Sequence, residues 1–236
     1  MKTAIYYTDN NIEHDLMIAV QKNLLKALKG IPLISVSQKP IDFGKNICVG
    51  EKERSGKSIF EQILVGLDAA EDSVIYLCEH DVAYHSNHFR HIPVSKTTIS
   101  YNRNRLQWAI GNPNFLLARG RNPLSQLIAY KNYLKECVLK MLSSPRKKRC
   151  ATIMLDDENR HYFRSKCPNV DIRHGLNYSR DSKYKKQYYI GNPYKTRQKL
   201  KAWGTVDGFL NKIEYKVTNI PKRYINYSKT IELRPR

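Results

Sequence analysis

Glu79, His80 and Asp81 follow an unbroken apolar run, Val74-Ile75-Tyr76-Leu77-Cys78, and are the residues of this 236-residue chain best suited to chemistry. Two carboxylates one residue apart suit a hard divalent cation that keeps some of its water and also grips a substrate phosphate. The run before them is rich in β-branched and aromatic residues, the pattern of a strand buried on both faces of a mostly parallel sheet. In such sheets ligands bind beyond the carboxyl ends of the strands, which is where this trio falls. Residues 73–85 therefore read as a metal and nucleotide-diphosphate site. The alternative is an acidic pair that caps the next helix or faces water.

The surrounding elements are those of an α/β fold. Residues 3–7 form an opening strand; Ile12, Leu16, Val20, Leu24, Leu25 and Leu28 then recur at helical spacing until Gly30-Ile31-Pro32 ends the helix ahead of a second strand at 33–36. This βαβ order predicts a parallel sheet with crossover helices. Thr8, Asp9 and Ser37 lie just past strand ends, where they meet a nucleotide or serve as turn residues. Residues 46–70 imitate a P-loop, with a helix carrying Phe60, Ile63, Leu64 and Leu67 inward. Five residues separate Gly50 from Gly56 where the true motif has four, and Glu51 and Glu53 oppose a triphosphate. A Walker site is excluded. Arg54, Ser55 and Lys57 remain at a helix N-terminus, as donor contacts or, for Ser55, as a cap.

His85, His88 and His91 are spaced by three. On one face of a short helix they could bind a transition metal, but no cysteine or carboxylate completes a closed site, and a face turned to substrate or solvent is the alternative. Residues 97–101 and 106–110 predict a hairpin with Asn102-Arg103-Asn104-Arg105 at its tip. Asn122-Pro123 begins a predicted long helix with Leu124, Leu127, Ile128, Leu134, Val138 and Leu142 as its stripe, closed by Ser143-Ser144-Pro145. Arg119 and Arg121 precede it, placed for an anion. Arg146, Lys147, Lys148 and Arg149 form a basic cluster ahead of a predicted strand at 151–155, which Asp156, Asp157 and Glu158 follow.

The run 54–89, RSGKSIFEQILVGLDAAEDSVIYLCEHDVAYHSNHF, resembles small glycosyltransferases of the GT-A type, in which a helix precedes a strand ending in an Asp-x-Asp-like motif, here Glu79-His80-Asp81. The resemblance extends to the βαβ opening and to Asp171-Ile172-Arg173-His174-Gly175, which looks like the late strand whose histidine completes the metal shell in that fold. It implies a GT-A-like, Rossmann-like α/β sheet flanked by helices. It also implies metal-dependent transfer of a sugar from a nucleotide-sugar donor, expected to be a UDP-sugar, with Mn or Mg as the ion. Glu79, Asp81 and His174 become the metal set, with Glu79 alternatively on the ribose; the departure is Glu for the first Asp. His80 should point the other way on an extended strand end, and joins Thr8, Asp9, Ser37, Arg54, Ser55 and Lys57 on the donor or supporting side. The region of Tyr101, Arg103, Arg105 and Trp108 overhangs the acceptor in that fold; an ordinary hairpin with a basic tip is the alternative. In inverting members a carboxylate near Asp157 and Glu158 deprotonates the acceptor hydroxyl, and helix capping is their other role.

Global charge narrows the acceptor. With 41 Lys and Arg against 21 Asp and Glu, the net charge is +20, which draws the chain to polyanions. From Gly175 onward there are 15 basic against 4 acidic residues and eight of the sixteen tyrosines. Cations release counterions from phosphates and rings stack on bases, so Arg180, Lys183, Lys185, Lys186, Tyr188 and Trp203 are expected nucleic-acid contacts; a solvated tail is the alternative. Phe209, Leu210, Ile213, Val217, Ile220 and Ile225 are spaced to pack on the main body. The expected organisation is a catalytic unit at 1–174 and a basic segment at 175–236. Five scattered cysteines without a C-x-x-C pair, no secretory h-region and no apolar run near 18 residues predict a cytoplasmic protein, in a host cytoplasm if phage-encoded, without a transmembrane segment. The expected acceptor is a hydroxymethylated pyrimidine in double-stranded DNA, as in phage DNA glycosyltransferases. The alternatives are a cell-envelope or lipopolysaccharide glycosyltransferase working at an anionic membrane, and a non-enzymatic nucleic-acid-binding protein.

Overall fold

The computed structural model describes residues 1–71, 73–117, 122–143, 159–177 and 202–218. The elements are β1 (Lys2–Thr8), α1 (His14–Leu28), β2 (Leu33–Ser37), β3 (Lys45–Cys48), α2 (Gly56–Ala69), β4 (Val74–Glu79), β5 (Val82–Ala83), β6 (Ile99–Asn102), β7 (Arg105–Ala109) and β8 (Leu116–Leu117), followed by β9 (Leu127–Tyr130), α3 (Lys131–Ser143), β10 (Arg160–Phe163), β11 (Asn169–Arg173) and α4 (Val206–Ile213).

Among the described residues seven strands form one sheet in the order β10-β6-β9-β4-β1-β2-β3, and of these β9 alone runs against the others. β1 and β4 lie at its centre and are buried almost throughout, which is why each reads as a continuous apolar run rather than an alternation. Helices cover both faces. Phe60, Ile63 and Leu67 of α2 and Leu134 and Val138 of α3 pack on Ile5, Val36, Ile75 and Leu77, while Leu24 and Leu28 of α1 pack on Ala4, Tyr6 and Tyr76 opposite. The α2–β1 approach needs Gly66, since a Cβ there would stand 2.6 Å from a methyl of Ile5. Ser55 starts α2 as its N-cap, sharing a reciprocal pair of hydrogen bonds with Ser58.

A second sheet, β5-β11-β7-β8, sits beside the first. Its core is Trp108, Ile110, Phe115, Val170 and Ile172, covered by Leu16 and Val20 of α1 and by Trp203, Phe209 and Ile213 from the C-terminal part. Residues 202–218 thus complete a core, and Lys22 and Lys26 of α1 pair with Glu214 at the end of α4.

Three expectations are corrected. Residues 97–110 are not a hairpin, because β6 pairs with β9 and β10 in the large sheet while β7 pairs with β11 and β8 in the small one. Asn102 steers that crossing, its side-chain Oδ1 accepting from Asn104 N–H and Ser165 N–H. Nor is there one helix from Asn122: the chain makes a turn at Leu124–Gln126, runs as β9, and becomes helical only at Lys131. Leu127-Ile128-Ala129 is a short apolar run whose periodicity fits a buried strand as well as a helix, and its place between β4 and β6 decides the matter. Finally, His88 and His91 do not form an outward face. His88 is fully buried against Tyr84 and Phe89, and His91 stacks on Phe163 at 3.7 Å.

Candidate metal and nucleotide site

The carboxyl ends of β1, β2 and β4 open on the same edge of the large sheet, and the turn after β11 reaches it from the small sheet. β4 ends at Glu79, and His80 and Asp81 form a turn into β5. That turn is pinned from the small sheet, where Ile172 N–H donates to Asp81 O at 2.7 Å. The same ladder continues β11 into His174, whose side chain is sealed from solvent 4.0 Å from Asp81 Oδ2. The rings of His80 and His174 meet edge to face at 5.9 Å.

His80, Asp81 and His174 each offer one ligand atom, and the three atoms lie within 4.8 Å of one another. Donor atoms on a single ion at about 2.0–2.2 Å stand at most about 4.4 Å apart, so small side-chain shifts bring this set onto a divalent metal. Thr8 Oγ1 contacts His80 Nδ1 at 2.7 Å. With the proton on Nδ1, that contact fixes the ring and leaves Nε2 its lone pair.

Glu79 is directed elsewhere. It stands in register with Tyr7 of β1, whose hydroxyl donates to Glu79 Oε1 at 2.5 Å, and its backbone N–H donates to Tyr84 Oη. Burial, and next the negative charge of Asp81, push the Glu79 carboxyl up to about 8. Nearby, Asp171 and Arg105 form a buried pair at 2.5 Å; burial raises the Asp171 pKa against the opposing pull of Arg105.

On the other flank Asp9 accepts from Arg54 Nε and from Asn11 N–H, and Arg54 also donates to Leu176 O at 2.9 Å. Arg54 thus joins the loop before α2 to the turn that carries His174. Asn10, in the left-handed region at φ 58°, accepts from Gln38 and Lys39 N–H and ties the exits of β1 and β2 together.

The structure therefore gathers Thr8, Asp9, Arg54, His80, Asp81 and His174 around one edge. It corrects the expected ligand pairing: His80, not Glu79, falls in the group with Asp81 and His174, because strand alternation stops at Glu79. Ser37 is buried and accepts from Asn46 Nδ2, Ser55 is spent as the α2 cap, and Lys57 is exposed near Glu61. Four expected acceptor contacts are also corrected. Tyr101 and Trp108 are core side chains, with the Trp108 indole donating to Asn112 O; Arg105 is held by Asp171; and Trp203 is buried, donating to Pro168 O. Trp108 and Trp203 fill the small-sheet core and Tyr101 the large-sheet core, which composition alone did not reveal. Arg103 lies over the half-exposed Tyr162 ring at 3.9 Å. Arg119, Arg121, Arg146, Lys147, Lys148, Arg149, Asp157, Glu158, Arg180, Lys183, Lys185, Lys186 and Tyr188 lie outside the described residues. Sequence reasoning missed Tyr7, Tyr84 and Asn177; the pairing of β1 with β4 would have exposed Tyr7, whereas Asn177 carries no local signal.

No protein-family model matches the chain, and no curated protein matches it in sequence. Among solved structures it is similar to the galactosyltransferase LgtC in complex with donor and acceptor sugar analogs, at 9% identity over 96% of this chain and 100% of that one, TM-score 0.44. It is also similar to the apo-form glycosyltransferase GlyE of Streptococcus pneumoniae TIGR4, at 6% identity over 68% and 44%, TM-score 0.44. A third is the bifunctional IspDF of Campylobacter jejuni, at 11% identity over 70% and 50%, TM-score 0.40. The chain spans about half the length of the last two. Among the described residues no helix is long and apolar enough to cross a membrane.

Proposed function

We propose that this chain is a metal-dependent glycosyltransferase that moves a sugar from a nucleotide-sugar donor to a hydroxyl acceptor. The observation that carries the reading is the convergence of His80, Asp81 and His174 at the carboxyl end of the parallel strands, with Arg54 alongside. A divalent ion held there supplies charge neutralisation of a departing diphosphate. Two imidazole nitrogens and one carboxylate oxygen favour a transition ion such as Mn over Mg, which prefers oxygen ligands and retained water. Thr8 orients His80, and Arg54 adds a fixed cation on the donor side.

The acceptor we propose is a hydroxymethylated pyrimidine in duplex DNA. Its support is the net charge of +20 and the tyrosine-interleaved basic run after Gly175. The test supplies Mn and UDP-sugars, then other nucleotide sugars, with hydroxymethylated duplex DNA or anionic vesicles carrying a glycan acceptor. The expected result is release of nucleoside diphosphate and labelled DNA, both lost with chelator and in D81N. Label on the vesicle glycan alone would replace DNA with the envelope acceptor. Failure of the unmutated protein to bind metal or turn over any nucleotide sugar would sink the enzyme reading.

A further inference from the structure

Asn177 is 8% exposed and sits three residues beyond His174, past the turn at Gly175, whose φ of 96° lies in the left-handed region. Its side chain touches both halves of the candidate site. One amide N–H donates to Asp81 Oδ2 at 2.7 Å, the other to Ile172 O at 3.2 Å, and the amide oxygen accepts from the His174 backbone N–H at 2.9 Å. Asp81 comes from the turn after β4 and His174 from the turn after β11, so these elements from distant parts of the chain are held by one side chain. With both N–H groups and the carbonyl engaged within the protein, Asn177 is committed to holding its neighbours.

We infer that Asn177 is the positioning residue of the metal site: it anchors the Asp81 carboxylate through Oδ2 and holds His174 in place before the ion arrives. This rests on reading His80, Asp81 and His174 as the ligands. Without Asn177, Asp81 rotates about its side-chain bonds and His174 drifts with its loop, so both ligands lose orientation that binding must then restore. Partners of this kind, once removed, cost metal sites about 10–100-fold in affinity. A general packing role predicts something different: lower stability, with metal affinity unchanged in the molecules that remain folded.

The experiment is calorimetric titration of the full chain with manganese chloride, with melting of each metal-free protein measured alongside, for the unmutated protein, N177A and N177L. Leu is close to Asn in shape and fills the same space, but it makes none of the three hydrogen bonds. The expected result is both variants weakened about 10-fold or more in manganese affinity. Affinity of either folded variant within twofold of the unmutated protein overturns the inference. Should N177A not fold, N177L decides alone: a loss of about 10-fold supports the role and retained affinity overturns it. Absence of manganese binding in the unmutated protein instead removes the ligand reading beneath it, and is distinguishable because no variant is needed to see it.

Discussion

Replacing Glu79 with Gln tests the electrostatics at the sheet edge. In the folded, metal-free protein this carboxyl is pushed from 4.5 to about 8, chiefly by burial and next by the charge of Asp81. Between those values the folded chain holds a proton that the unfolded chain has released. Stability is therefore fully present below pH 4.5 and is lost as the pH rises through the folded value, at about 1.4 kcal/mol per unit. From pH 5 to pH 7 the unmutated protein should lose on the order of 2–3 kcal/mol from this group. Gln cannot ionise, and its amide oxygen still accepts from the Tyr7 hydroxyl, so E79Q should lack that slope while keeping the bond. Urea unfolding with chelator present, at pH 5, 6, 7 and 8, gives the difference between the two proteins, from which the other titrating groups cancel. E79Q should gain on the unmutated protein steadily across the series. Manganese should narrow the gap, because a cation on Asp81 offsets one of the charges that raises Glu79. Curves that stay parallel to within about 1 kcal/mol from pH 5 to pH 7 would refute the assignment of a neutral, desolvated Glu79.

Two further outcomes follow from buried polar groups. Burial, then the charge of His91, pushes His88 down to about 3 from 6.5, so the stability it confers is full above pH 6.5 and is lost toward pH 3. H88N should flatten the loss between pH 6.5 and pH 5 by about 1 kcal/mol per unit, measured by denaturant midpoints, and an unchanged slope would refute a neutral buried His88. R105M would leave the Asp171 carboxylate buried without its cation and should cost about 3–5 kcal/mol, most of it recovered in the double variant R105M/D171L. A loss in R105M too small to resolve by chemical denaturation contradicts that account.

Legibility in the sequence tracked how local the deciding interaction is. β1, α1, β2, α2 and β4 were readable because each announces itself within its own residues: continuous apolar runs, an apolar stripe, or the Ser55 cap. The region from Ile99 to Tyr130 was not, because the fate of β6, β7 and β9 depends on partners elsewhere. Leu127-Ile128-Ala129 becomes a strand because β4 and β6 leave a gap for it, and β6 parts from β7 because β11 competes for the latter. The spacing predicts that Phe209 packs inward, as it does, whereas Trp203 and the C-terminal tyrosines are expected at a nucleic-acid surface, yet Trp203 and Tyr215 close the small-sheet core beside it. Rings that can stack on a base are also the largest apolar groups available to fill a void, and sequence does not separate the two uses.

The ligand set shows the same limit at the scale of one residue. Alternation along an extended chain puts Glu79 and Asp81 on one side and His80 on the other, and that holds only while the strand continues. The pairing of β4 with β1 ends with Glu79 opposite Tyr7, and one residue later the chain turns. Glu79 therefore remains in the strand, bonded to a neighbouring tyrosine, while His80 and Asp81 leave it together toward His174. The exchange of one ligand for its neighbour follows from where the last paired residue falls. His174 and Asn177 enter because β11 pairs with β7 in the second sheet and then turns at Gly175, an arrangement fixed by strand order rather than by anything near residue 80. Side chains that chemistry marks as capable become a site only when two sheets end at the same place, and here the Asn177 bridge spans that meeting of edges.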